Sequence, residues 1–185
     1  MRGKSHRLLG KYLIREYLDT VPHRFQFAFL LGCQEPDWNP ATYLKGSVRS
    51  QWLRGHNYHN THRFIWKTSL RIEEKKMLSI WDYYSLGKLI HYTVDGFTFA
   101  HNKSFPSSLN AHRKYEASLE VFFLQYVQSR PKASHYHGST IMDVISFYRK
   151  KYESREPNIY IDTKYSVAAC RCILTLLFPR PVPQP

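Results

Sequence analysis

The sequence lacks long uninterrupted runs of apolar residues. None comes near the run of about 20 that a membrane-spanning helix needs. Near the N-terminus, the apolar segment LLGKYLIREYL is interrupted by Lys11, Arg15 and Glu16, so it lacks the apolar region of a signal peptide. These absences predict a protein that is soluble, or at most bound to a membrane surface.

Cysteine is scarce as well. Cys33, Cys170 and Cys172 cannot all pair within one chain, and a domain of this size needs no disulfide framework. Cys170 and Cys172 have no second Cys/His pair nearby, which favours buried helical thiols over a metal site. Three thiols without an export segment predict a reducing, cytoplasmic location.

Acidic residues are few compared with basic ones. The chain has 14 Asp and Glu against 27 Lys and Arg, a formal net charge of +13. Such a charge attracts anions, including phosphates, anionic membrane surfaces and nucleic acid. Because the basic residues are scattered, a solvated basic surface explains them as well as a binding surface does. The charge alone therefore selects no partner, and the sequence says nothing about oligomeric state.

The alternating pattern of β-strands is also missing, and there is no internal repeat. Apolar residues recur instead at the three-to-four spacing of amphipathic helices. A hydrophobic content of 43% and an aromatic content of 16% suffice for a substantial core. We predict one all-α domain, a multi-helix bundle over residues 1–178, followed by a Pro-rich tail over 179–185.

The same periodicity and the positions of Gly and Pro predict where helices begin and end. A first helix should end between Asp19 and Pro22, and a second, from His23, should stop at Gly32 or Pro36. Residues 33–61 contain two prolines and two glycines and are predicted to form a long loop, a feature that is usually functional. Further helices are predicted at 62–78, 79–101, 111–127, 138–154 and 160–178, with a turn at 102–110 and a second loop at 129–138.

Two of these helices carry a histidine followed by an acid four residues later. His91 and Asp95 lie in the segment HYTVDGFTFAH, which ends at His101, and His112 and Glu116 repeat the spacing. Residues four apart share one helix face, and ordinary polar pairs explain that spacing by itself. The flanks are strongly apolar, however, and a buried imidazole or carboxylate needs a partner or a metal. Zinc accepts these nitrogen and oxygen ligands, whereas calcium prefers oxygen.

The order of these residues resembles that of a known family. His6 near the start of the first helix, Asp37 in EPD and His56 in GHNY precede the segments 86–101 and AHRKYE, which ends at Glu116. Taken together they resemble the bacterial zinc-dependent phospholipase C family, which is all-helical and orders its ligands as His, Asp, His, H-x3-D-x5-H and H-x3-E. The match is most specific within 86–116.

The resemblance implies a metal centre with two zinc ions. A third ion in the family uses the counterpart of His6, shares that of Asp95 and is completed by a processed N-terminal Trp. This sequence starts at Met1 instead, so two ions are expected. The resemblance gives Asp37, His56, His91 and Asp95 to the first ion, and His101, His112 and Glu116 to the second.

Alternatives remain open for three of these residues. In GHNYHNTH, His59 and His62 compete with His56, although GHNY resembles the family pattern best. Asp37 is also explained as a turn residue after Pro36. His6 is equally explained as a polar residue at a helix start.

The resemblance implies hydrolysis of a phospholipid or related phosphodiester by metal-activated water. Asp37 would double as general base. Three aromatic residues beside ligand positions are candidates for a choline-type headgroup wall through cation–π attraction, or are simply core residues: Trp38, Tyr43 and Tyr58. The first alternative is a zinc-dependent nuclease acting on single-stranded nucleic acid, because fungal nucleases resemble this family. The second is a non-catalytic metal-binding helical protein.

Overall fold

The computed structural model describes residues 3–39, 58–102, 105, 108–129 and 138–179, with His59 and Leu109 as backbone only. These residues form helices and connections without any strand, so the prediction of an all-α fold is confirmed. In chain order the elements are α1 (Gly3–Tyr17), α2 (His23–Trp38), α3 (Tyr58–Glu73), α4 (Ile80–Gly96), a 3-10 helix (Phe99–His101), α5 (Leu109–Gln128), α6 (Ile141–Glu153) and α7 (Ile159–Leu177).

Helix α4 runs through the middle of the bundle and packs against α2, α3 and α7. It starts with a reciprocal cap, in which the Ser79 hydroxyl accepts from the backbone N–H of Asp82 and the Asp82 carboxylate accepts from that of Ser79. Most of its remaining length is buried, including Leu86 and Leu89 at 0% exposure. The polar side chains of His91 and Asp95 on this helix therefore lie inside the protein.

Helices α2 and α4 touch backbone to backbone at two glycines. A Cβ on Gly32 would overlap the carbonyl oxygen of Tyr84, and one on Gly87 would overlap that of Phe29. Only glycine permits so close an approach. The contact brings the last turns of α2 alongside the second half of α4.

The prediction that α2 stops at Gly32 or Pro36 is wrong. The helix continues to Trp38, and the backbone N–H of Asn39 still bonds to the carbonyl of Glu35 at 3.0 Å. Pro36 costs one backbone bond, but its turn is buried in the bundle, and this packing outweighs the loss.

The predicted bounds of the loop at 33–61 are also wrong at both ends. Residues 33–38 belong to α2, and α3 begins at Tyr58 rather than at residue 62. Helix α3 ends at Glu73, where the prediction continued to residue 78. Residues 40–57, most of the second predicted loop and nearly all of the Pro-rich tail lie outside the described residues.

The three cysteines are buried and form no disulfide. Cys170 and Cys172 lie on α7, where the Cys172 sulfur is 3.3 Å from the hydroxyl of Tyr148. Burial raises the pKa of the Cys33 and Cys170 thiols. Both observations fit packed thiols rather than metal ligands. Among the described helices, none is long and apolar enough to cross a bilayer.

Candidate metal centre

Five helical elements bring the predicted ligands that the structure describes to one region of the bundle. Six of these side chains fall into two groups, and within each group one ligand atom per residue lies within 4.8 Å of the others. The first cluster consists of His6 from α1 and His91 and Asp95 from α4. The second cluster consists of His101 from the 3-10 helix and His112 and Glu116 from α5.

The first cluster is fully enclosed, with its three residues at 2% exposure or less. Nε2 of His6 lies 3.2 Å from Asp95 Oδ1, and Nε2 of His91 lies 3.2 Å from Asp95 Oδ2. Each imidazole thus faces its own oxygen of one carboxylate. The two rings stack with centroids 3.8 Å apart.

The orientation of His91 is set by α2. Its Nδ1 lies 3.0 Å from the backbone carbonyl of Cys33, so Nδ1–H donates to that oxygen. A hydrogen bond of this kind selects the tautomer and turns the other nitrogen toward a metal position. Nε2 of His91 is then the atom that faces Asp95.

Asp37, in the last turn of α2, lies at the edge of the first cluster. Its Oδ1 is 3.7 Å from Nε2 of His91, and 18% of its side chain is exposed. The neighbouring Glu35 ties this turn to α4 through a 2.7 Å ion pair with Lys88. Asp37 is therefore the one predicted ligand from α2 that the structure places beside α4.

The second cluster is partly open to solvent. Oε1 of Glu116 lies 3.3 Å from Nε2 of His112 and 3.6 Å from Nε2 of His101. His112 is the most exposed of the three, with 33% of its side chain accessible. Nε2 of His101 also lies 3.5 Å from Oδ1 of Asp95, so this carboxylate adjoins both clusters.

The environment keeps several of these groups in the protonation state that binds metal. Burial, reinforced by His91, lowers the pKa of His6 to about 3, and burial also lowers the pKa of His101. Burial opposes ionisation of Glu116, but the imidazole of His101 outweighs it and the pKa falls to about 2. The pKa of Asp95 lies well below its usual range, because the charges and imidazoles around it outweigh its burial. At neutral pH these are neutral imidazoles and carboxylates, as zinc requires.

The spacing of the ligand atoms fits zinc. Ligands about 2.1 Å from a tetrahedral ion lie about 3.4 Å from each other. The His-to-carboxylate separations within the two clusters are between 3.2 and 3.6 Å. The chemistry of the donor set and these separations are therefore compatible with bound zinc.

The remaining predicted site residues lie in the segment before α3 and at the adjoining ends of α2 and α3. His56 and Tyr43 lie outside the described residues, as does the side chain of His59. Trp38 follows Asp37 directly and is 62% exposed. Tyr58 packs close to Gly96, the residue after Asp95, and the Arg149 guanidinium lies 4.7 Å from the centre of its ring.

Two residues near the clusters were not predicted from the sequence. Arg149 of α6 donates to the carbonyl of Gly96, at the end of α4. Asp162 of α7 is completely buried and accepts hydrogen bonds from Phe99 and Tyr115, which adjoin the second cluster. Asp162 is the single acidic residue of α7, which was the available signal, but its partners are distant in the sequence.

The fold and the clusters together define an all-α protein with a candidate metal centre between its helices. A comparison with protein families then identifies the group: the model of zinc-dependent phospholipase C matches residues 5–170. The chain belongs to this family, which confirms the resemblance seen in the sequence. The match includes every candidate ligand. Neither the curated proteins nor the solved structures gave a match.

Proposed function

We propose that the protein is a zinc-dependent hydrolase that cleaves a phospholipid in the manner of a phospholipase C. The observation that carries this proposal is the convergence of two His/carboxylate clusters around one shared residue, Asp95. Membership of the zinc-dependent phospholipase C family supports both the metal and the substrate class.

The geometry supports at least two zinc ions. The second cluster supplies one complete set of three protein ligands. His91, Asp95 and Asp37 supply a second set, which the family pattern completes with His56. His6 faces the other oxygen of Asp95, which supports a ligand role on that side. We propose all of these as ligands, and the number of ions is a quantity to be measured.

Bound zinc would polarise a phosphoryl oxygen and lower the pKa of a water molecule near the phosphorus. The protein supplies the remaining functions. Asp37 is ionisable, partly exposed and beside His91, and we propose that it accepts the proton of the attacking water. Trp38, the next residue in the chain, is exposed, and we propose that its ring contacts the headgroup. The net charge of +13 would favour binding to anionic membrane surfaces.

The test measures zinc per chain in purified protein, then the release of phosphocholine from phosphatidylcholine vesicles with and without chelator. His91→Ala and Glu116→Ala are each expected to lower the rate by at least about 100-fold, because each removes a ligand. His23→Ala is the matched control, since His23 is exposed at the start of α2. Full activity of both ligand variants would refute the proposal.

The same positive charge favours one competing function, a nuclease acting on single-stranded nucleic acid. Single-stranded DNA is therefore the second substrate in the assay. Chelator-sensitive cleavage of DNA without phospholipid hydrolysis would replace the lipase proposal with the nuclease. Zinc binding without either activity would indicate a non-catalytic metal protein.

A further inference from the structure

A buried carboxylate lies behind the second cluster on a helix that supplies no candidate ligand. Asp162, in the first turn of α7, is 0% exposed. Its Oδ2 accepts from the backbone N–H of Phe99 at 2.7 Å and from the hydroxyl of Tyr115 at 2.8 Å. Its Oδ1 accepts from the hydroxyl of Tyr152 at 3.0 Å.

Each of these hydrogen bonds leads to an element that carries a ligand. Phe99 is the first residue of the 3-10 helix that ends at His101. Tyr115 directly precedes Glu116 on α5. The hydroxyl of Tyr152 accepts from Nδ2 of Asn102, the residue after His101, at 3.2 Å. One side chain from α7 thereby connects both segments of the second cluster.

The ring packing around the carboxylate joins the same segments. Phe99 and Tyr115 have ring centroids 5.9 Å apart, and Phe105 lies edge-on to both at 5.1 and 5.5 Å. These contacts are apolar and adaptable, whereas the bonds to Asp162 specify positions. A short 3-10 helix has little rigidity of its own, so an anchored first N–H determines where its last residue lies.

A buried charge is costly unless it is well hydrogen-bonded. Burial raises the pKa of Asp162 to about 6, and the bonds from Phe99, Tyr115 and Tyr152 oppose that rise. The group is therefore mostly ionised at neutral pH and is a strong acceptor for all three donors.

We propose that Asp162 is a positioning residue of the metal centre, which holds the 3-10 helix and α5 so that His101 and Glu116 converge on one ion. This inference rests on the proposed function, because it needs a metal at the second cluster. Asp162 differs from the proposed ligands because its role requires contact with neither metal nor substrate. Groups that orient ligands in this way change metal affinity by about 10- to 100-fold when removed.

The first cluster provides an internal comparison. His6, His91 and Asp95 lie on α1 and α4, and the hydrogen bonds of Asp162 to other side chains and to Phe99, among the residues that the structure describes, go to neither helix. Loss of the Asp162 carboxylate should thus weaken zinc at the second cluster and leave the first nearly unchanged. A merely structural role would instead affect both clusters alike.

The experiment is a zinc titration of the full chain in competition with a chromogenic chelator, paired with thermal unfolding of the metal-free protein. The variants are Asp162→Ala, Asp162→Asn and Tyr115→Phe. The matched control is Thr163→Val, the next residue on α7, which is 0% exposed and whose hydroxyl lacks a hydrogen-bond partner among the described residues. Glu116→Gln marks which binding step belongs to the second cluster.

We expect Asp162→Ala to weaken that step by about 10- to 100-fold while the other step changes by less than about 3-fold. Asp162→Asn should recover much of the loss, since its amide oxygen still accepts from Phe99 and Tyr115. Tyr115→Phe should weaken the step less than Asp162→Ala does, and it keeps the test informative if the alanine variant does not fold. Thr163→Val should bind as the wild type does.

The possible outcomes distinguish failure of the positioning role of Asp162 from failure of the proposed function. If wild-type protein shows no binding step that Glu116→Gln removes, the second cluster is not a zinc site and the proposed function fails. If that step exists but is unchanged in Asp162→Asn, Asp162→Ala and Tyr115→Phe, the positioning role is overturned. Equal weakening of both steps would also overturn it.

Discussion

Gly87→Ala tests whether the close contact between α2 and α4 builds the site. A Cβ at Gly87 would overlap the carbonyl oxygen of Phe29 and lie 2.8 Å from the backbone nitrogen of Cys33. Both are backbone atoms of α2, which cannot rotate away as a side chain can. The substitution therefore forces α2 away from α4.

The loss of stability in Gly87→Ala is the balance of two opposing effects. Overpacking a well-packed interior costs about 1 to 3 kcal/mol, and rigid backbone on the facing side favours the upper end. Replacing Gly by Ala inside a helix returns about 1 kcal/mol. We expect the free energy of unfolding to fall by about 2 kcal/mol in Gly87→Ala.

The assay is urea unfolding of metal-free protein, with Gly10→Ala as matched control. Gly10 also lies buried in a helix, but the nearest atom to its Cβ would be Cδ1 of Leu30 at 2.9 Å, the end of a flexible side chain. The gain in helix propensity should roughly offset the cost of moving the Leu30 side chain, so the free energy of unfolding should change by less than about 1 kcal/mol. Gly87→Ala should also weaken zinc at the first cluster, because the carbonyl of Cys33 orients His91. Equal stability of the two variants would refute this account of the helix contact.

Three further predictions concern charge and metal. Lys88→Met should lower the free energy of unfolding by about 3 kcal/mol, since it leaves Glu35 buried without its 2.7 Å partner, and Glu35→Gln in the same chain should recover part of the loss in urea unfolding. Zinc at about 100 times its Kd should raise the free energy of unfolding by about 2.7 kcal/mol relative to chelator, and an unchanged urea midpoint would contradict metal binding by the folded state. The pKa of Asp162 is raised by burial to about 6, so its folded form binds a proton more tightly than the unfolded chain. In urea unfolding of the metal-free protein, the free energy of unfolding of the wild type should therefore fall by about 2 to 3 kcal/mol relative to Asp162→Asn as pH rises from about 4 through 6. A rise in this free energy would contradict a buried charge at Asp162.

Helical periodicity predicted the fold class and most helices, because core-facing positions repeat at three-to-four spacing wherever a helix packs on one side. The His91/Asp95 and His112/Glu116 pairs were predictable for the same reason, since residues four apart share a face. The order of these residues along the chain also sufficed to recognise the family, which the match over residues 5–170 confirms.

Long-range packing was not predictable in this way. Helix α2 passes Pro36 because its last turns are held against α4, and nothing local to EPD signals that contact. Asp162 meets Tyr115 from 47 residues away and Phe99 from 63. A single aspartate near the start of a helix is compatible with a cap, a salt bridge or a buried acceptor, and only the folded chain distinguishes them.

Asp95 adjoins both clusters. Its oxygens face His6, His91 and His101, so ions held at the first and second clusters would share the field of one carboxylate. Charge on one ion would reduce the attraction of that carboxylate for the other. Asp162 bonds instead to Phe99, Tyr115 and Tyr152. A buried acceptor on α7 can therefore fix the positions of ligands in the second cluster without competing for Asp95, the carboxylate that adjoins both clusters.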